Sequence, residues 1–107
     1  MSSDFAFWKQ GAGDPGEIFD DLAEGITDAL EPHSDVSGFR GELLSRWPDL
    51  ADVLEPGEQE LAEAPEDGAK YVLLTLPVSM LDHLDAIYGL ARDYKLRGYS
   101  GVADEPF

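Results

Sequence analysis

The chain contains no cysteine, which excludes a disulfide framework, a zinc ribbon and a thiol nucleophile. Cations are scarce. Seven Lys and Arg stand against twenty-three Asp and Glu, for a formal net charge of −16. Direct binding to nucleic acid or to an anionic membrane is disfavoured, because both rest on cationic contacts to phosphate. No apolar run approaches the ~18 residues that a membrane helix needs, and Met1-Ser2-Ser3-Asp4 lacks the basic segment of a secretory signal. A cytoplasmic protein is expected. The two histidines, His33 and His83, have no second His at i+4 to make a zinc pair. The aspartate spacing of an EF-hand is missing. So are a phosphate-cradling pattern after Gly11-Ala12-Gly13 and a Gly-x-Ser-x-Gly elbow. Neither a metal, a cofactor nor an enzymatic activity is expected.

What is present suits a folded protein. Hydrophobic residues make up 43% of 107 positions, enough for one core in a single domain spanning 1–107. The charge is the abnormal quantity, since a small domain ordinarily carries a net charge of magnitude ~2–8. Self-repulsion at −16 opposes folding, so a partner or an environment should offset it. A basic protein is the natural counterpart. A saline cytoplasm or a generally acidic proteome is the competing explanation.

The densest apolar run, Lys70-Tyr71-Val72-Leu73-Leu74-Thr75-Leu76, predicts the central strand. Both of its alternating faces are mostly apolar, so cover on each side is expected. Asp4 to Lys9 predicts a strand with Phe5 and Phe7 on one face and Ala6 and Trp8 on the other. Asp14, Pro15 and Glu17 mark a helix start, and Ile18, Phe19, Leu22, Ile26 and Leu30 carry the helical period to Pro32. Glu17, Asp20, Asp21, Glu24, Asp28 and Glu31 fall on the opposite side, with no cation among them. Like charges at i,i+4 each cost about 0.2–0.5 kcal/mol, and a merely solvated face usually mixes signs.

Ser37 predicts the cap of a second helix through Phe39, Leu43, Leu44 and Trp47, followed by a short apolar turn at Leu50, Val53 and Leu54. Residues 55–69 predict an acidic loop, with 57–65 open to a fourth strand. Ser79 and Asp82 form a capping box before a helix through Met80, Leu81, Leu84, Ile87, Tyr88 and Ala91. Leu96 to Val102 predicts a last strand, and 103–107 a loose tail. The order β-α-α-β-α-β predicts an α+β fold. Its sheet is small, three- or four-stranded and mainly antiparallel, with the first strand in the middle and the helices on one face. That is a reduced ferredoxin-like sandwich. Trp8, Tyr71 and Tyr99 then share the other face, either as a contact surface or as part of the core.

Three short patterns carry a resemblance. They are Phe7-Trp8-Lys9, Phe39-x-x-Glu42-Leu43-Leu44-x-Arg46-x-Pro48-Asp49-Leu50, and Leu90-Ala91-x4-Leu96-x2-Tyr99. Together they resemble a group of small bacterial proteins encoded near polymorphic toxins, many of which are taken to be immunity proteins. The resemblance implies a protein partner and no reaction. The expected function is therefore an acidic protein-binding module, an immunity or inhibitor protein for a basic partner such as a toxin. Glu17, Asp20, Asp21, Glu24, Asp28 and Glu31 form its binding face, with Trp8 and Tyr99 as aromatic anchors. Two alternatives use the same acids. One is a DNA mimic that acts on a DNA-binding protein, and the other is a structural domain from a salt-adapted cell.

Overall fold

The computed structural model of the chain describes residues 2–11, 13–103 and 105–106. The chain opens with β1 (Ser2–Trp8), β2 (Gln10–Gly11), α1 (Pro15–Ala23) and β3 (Leu30–Glu31). Next come α2 (Ser34–Arg46), a 3-10 turn (Pro48–Asp52), β4 (Leu54–Glu55), α3 (Glu58–Glu63) and α4 (Asp67–Lys70). β5 (Tyr71–Pro77), a second 3-10 segment (Val78–His83), α5 (Leu84–Asp93), β6 (Arg97–Ser100) and β7 (Glu105–Pro106) complete it. The strands form an antiparallel sheet in the order β4-β5-β1-β6-β7, and β2 and β3 make a separate ribbon.

The first strand is central and antiparallel to both neighbours, as expected. Phe5 sits opposite Leu74 and Ser100, and Ala6 opposite Leu73 and Tyr99. Because side chains alternate across a strand, this register sorts the apolar residues into two cores. Phe5, Phe7, Val72, Leu74 and Leu76 face α2 and α5, meeting Val36, Phe39, Leu43, Ile87 and Leu90. On the other face Ala6, Trp8, Tyr71, Leu73 and Tyr99 meet Ile18 and Leu22 of α1 and Leu30 of β3. Fully burying each of the larger side chains contributes about 1.5–3 kcal/mol. The element order β1, α1, α2, β5, α5, β6 keeps the expected pattern, but the helices cover both faces and not one. The sheet also gains β4 and β7 at its edges.

Several local expectations are corrected. The first helix stops at Ala23, because Gly25 adopts φ +81. Its N–H bonds Leu22 O while the Ile26 N–H reaches Asp21 O, the paired bonds of a glycine-terminated helix. Ile26 is left 42% exposed, while Leu30 returns to the core from β3. α2 begins earlier than Ser37: His33 is its N-cap, its Nδ1 accepting from the Asp35 N–H at 3.0 Å. Ser79 makes no cap bond, because residues 78–83 wind as 3-10 helix before α5 starts at Leu84. The β-carbon of any larger residue at Gly38 would stand 2.9 Å from Tyr94 Cε1, so glycine there lets the Tyr94 ring, which follows α5, lie against α2.

The segment 55–69 is not a loop. It holds α3 and α4, and the added strand is β4 at Leu54–Glu55 rather than within 57–65. Arg40 organises this region. Its side chain is buried, donating at 2.9 Å to Pro56 O and Tyr71 O, and at 3.3–3.4 Å to Glu55 O and Gly68 O. Desolvation holds the guanidinium pKa below its ordinary value, opposed by Tyr71 and Glu60. One forked cation on α2 thus fixes the chain on both sides of α3 and α4. In the expected loose tail, Glu105–Pro106 pairs with β6, whereas Asp104 and Phe107 lie outside the described residues.

Candidate functional site

α1 crosses the sheet with Ile18 and Leu22 inward, and this decides where its acids point. Glu17, Asp20 and Glu24 are exposed or nearly so and Asp21 is half-buried. The capped turn at Gly25 then carries Asp28 into the return and Glu31 onto β3, opposite Gln10. The six acids therefore divide between four on or capping one helix and two on the segment that follows it, not along one long helix. Among the described residues none of the six has a cation within ion-pair distance.

The cations are elsewhere. Lys9 pairs with Asp35 at 2.9 Å and donates to Tyr94 O and Lys95 O at the end of α5. Its hydrogen bond holds the Asp35 carboxyl below the usual carboxylate range. Arg46 pairs with Glu42 within α2, Lys70 with Asp67 within α4, and Arg40 is buried. Arg92, Lys95 and Arg97 lie around the end of α5 and the start of β6. Glu31 shares a surface groove with two cations, Lys9 and Arg97. That groove, about 400 Å³, is lined by Lys9, Gln10, Gly11, Ala29, Glu31 and Arg97. It draws on separate stretches of the chain, so no local sequence signal announces it.

The aromatic anchors are corrected. Trp8 is fully buried and Tyr99 is 8% exposed. The Tyr99 ring meets Phe19 of α1 at a centroid distance of 5.0 Å. Both belong to the core beneath α1, so neither can reach a partner while α1 stays docked. Trp8 Nε1 is buried without a hydrogen-bond partner among the described residues, which costs about 1–3 kcal/mol. Tyr71 on the same face has its phenol pushed up to about 12, by burial first and then by Asp67, Glu60 and Glu55, against the pull of Arg40.

No family model matches this chain, no curated protein matches it, and no solved structure matches it.

The histidines are built into the structure separately. His33 caps α2, and the His83 ring stacks on Trp47 with centroids 5.4 Å apart. Among the described residues no three His, Asp or Glu side chains form a group that could hold a metal ion. No helix among them is long and apolar enough to cross a membrane. Glu55 has its carboxyl pKa raised, by burial and then by Glu60 and Asp4.

Proposed function

We propose that this protein is an acidic protein-binding module of the immunity or inhibitor kind, acting in the cytoplasm on a basic partner such as a toxin. The observation that carries this reading is the set of carboxylates on α1 and its return, Glu17, Asp20, Asp21, Glu24, Asp28 and Glu31, with no ion-paired cation among the described residues. The chain's ion-paired cations lie instead on β1's end, α2 and α4. A helix face that only needed solvation would gain from mixing signs. Leaving it uniformly negative produces a local field that steers a cationic surface and raises its association rate. The resemblance of the Phe7–Lys9, Phe39–Leu50 and Leu90–Tyr99 segments to proteins encoded near toxins supports the same class of partner. Binding without turnover is the activity proposed, with no direct contact to nucleic acid.

The test is affinity capture from native-cell extract at low salt, with the wild-type protein and the triple variant Asp20→Lys, Glu24→Lys, Asp28→Lys as parallel baits. A basic protein retained by the wild type and lost by the variant is the expected result. Failure to retain a basic protein, or equal retention by both baits, overturns the proposal. The same acids would serve a DNA mimic, and displacement of the captured partner by plain duplex DNA identifies that version. Salt separates both from a domain that is merely salt-adapted. Screening of surface charge is largely complete at a few tenths molar, where the Debye length is already below ~10 Å, so thermal stability should level off there. A gain that continues to molar KCl favours the salt-adapted alternative.

A further inference from the structure

The side of the sheet away from α1 carries a surface of different chemistry. Trp47 is the C-cap of α2, and Pro48 starts the 3-10 turn directly after it. The indole is half-buried and packs on the edge of the core with Leu44, Met80, Leu81 and Leu84, which are likewise only partly covered. His83 stacks on the indole at 5.4 Å with the rings inclined by 31°. That contact joins the end of α2 to the segment that enters α5. Close in sequence to these rings are Asp49, Asp52, Asp82 and Asp85, none of them buried and none ion-paired among the described residues. The nearest cation in sequence, Arg46, is already held by Glu42 at 3.0 Å.

From this we infer that the Trp47–His83 surface is a second docking site, independent of the α1 face, for a basic peptide segment of a partner protein that presents an apolar side chain. Half-covered Trp, Met and Leu side chains supply the chemistry of an interface centre. The unpaired aspartates select the sign of what lands on them, since a basic segment gains where an acidic one is repelled. The same argument disfavours a second copy of this chain as the occupant, because each copy brings a net charge of −16. A lysine or arginine beside the apolar residue would neutralise the rim, and a guanidinium could also lie over indole.

The test uses two synthetic peptides of equal positive charge, one alternating lysine with leucine and one lysine with serine, titrated into isotopically labelled protein. The lysine–leucine peptide should shift the Trp47 indole resonance and the amides of 49, 82 and 83. Asp49→Lys with Asp82→Lys should weaken it at least about tenfold. Trp47→Ala should do the same, whereas Glu63→Lys with Glu66→Lys, two exposed acids outside both acidic surfaces, should leave the shift of the Trp47 indole unchanged. Equal binding of the two peptides, shifts confined to α1, or full affinity in the Asp49/Asp82 variant would overturn the assignment. So would sedimentation showing that this face closes a dimer of the protein.

Discussion

Replacing Arg40 by methionine tests how the acidic half of the chain is held together. The guanidinium makes two contacts at 2.9 Å, to Pro56 O and Tyr71 O, and two longer ones to Glu55 O and Gly68 O. Hydrogen bonds from a charged donor contribute about 1.5–3 kcal/mol each, so the two short contacts set the scale. Methionine fills similar space and relieves the cost of desolvating a cation, which offsets part of the loss. It nevertheless leaves buried carbonyls without donors. We expect a net loss of about 2–4 kcal/mol. In urea that lowers the unfolding midpoint by about 1–2 M for an m-value near 2 kcal/mol/M. Arg40→Lys keeps the charge but not the fork, and should fall between the two. Hydrogen exchange supplies the local readout, with the amides of α3 and α4 losing protection first. A change below about 0.5 kcal/mol in the methionine variant, with α3 and α4 still protected, would refute the role given to Arg40.

Two further perturbations follow from the same structure. Glu55 has a folded pKa raised by burial, Glu60 and Asp4, so its ionised form destabilises the fold once pH exceeds the unfolded value. Glu55→Gln should therefore raise the urea midpoint at pH 7 and lose that gain at pH 3, below the unfolded pKa, and an unchanged midpoint at both would contradict it. Gly25 sits at φ +81, with no atom within 4 Å of the place a β-carbon would take. Gly25→Ala should thus cost about 1 kcal/mol through the backbone alone, read from the same unfolding curve, and a neutral substitution would contradict the strained-turn explanation.

Much of the fold is legible where local pattern and long-range packing agree. Val72, Leu74 and Leu76 alternate with Tyr71 and Leu73, and both sets are buried as a doubly covered strand requires. The helix start at Asp14-Pro15 is visible for the same reason. Its end is not, because Ile26 and Leu30 continue the apolar period past Gly25. Leu30 is buried as that period implies, but from β3. Residues 55–69 read as a loop because Pro56, Gly57, Pro65 and Gly68 punctuate them and most of the rest are acidic, which hides the good helix formers between Glu58 and Ala64. The contacts that fix α3 and α4 come from Arg40, which lies in a different element. Trp8 and Tyr99 show the same limit in the candidate site. Their strand faces are readable, but that α1 lies across that face is a property of the whole chain. The side of α1 that carries the acids is readable too, since Ile18 and Leu22 fix which side turns inward. Nothing local joins Trp47 to His83.

The central claim is that the unpaired carboxylates on α1 and its return exist to meet a positive surface. Stopped-flow association between the captured partner and the protein, followed from low to high NaCl, tests it most directly. With Asp20, Glu24 and Asp28 reversed to lysine, the low-salt rate should fall at least about tenfold and its dependence on salt should flatten. An association rate and salt slope equal to those of the wild type would contradict the account.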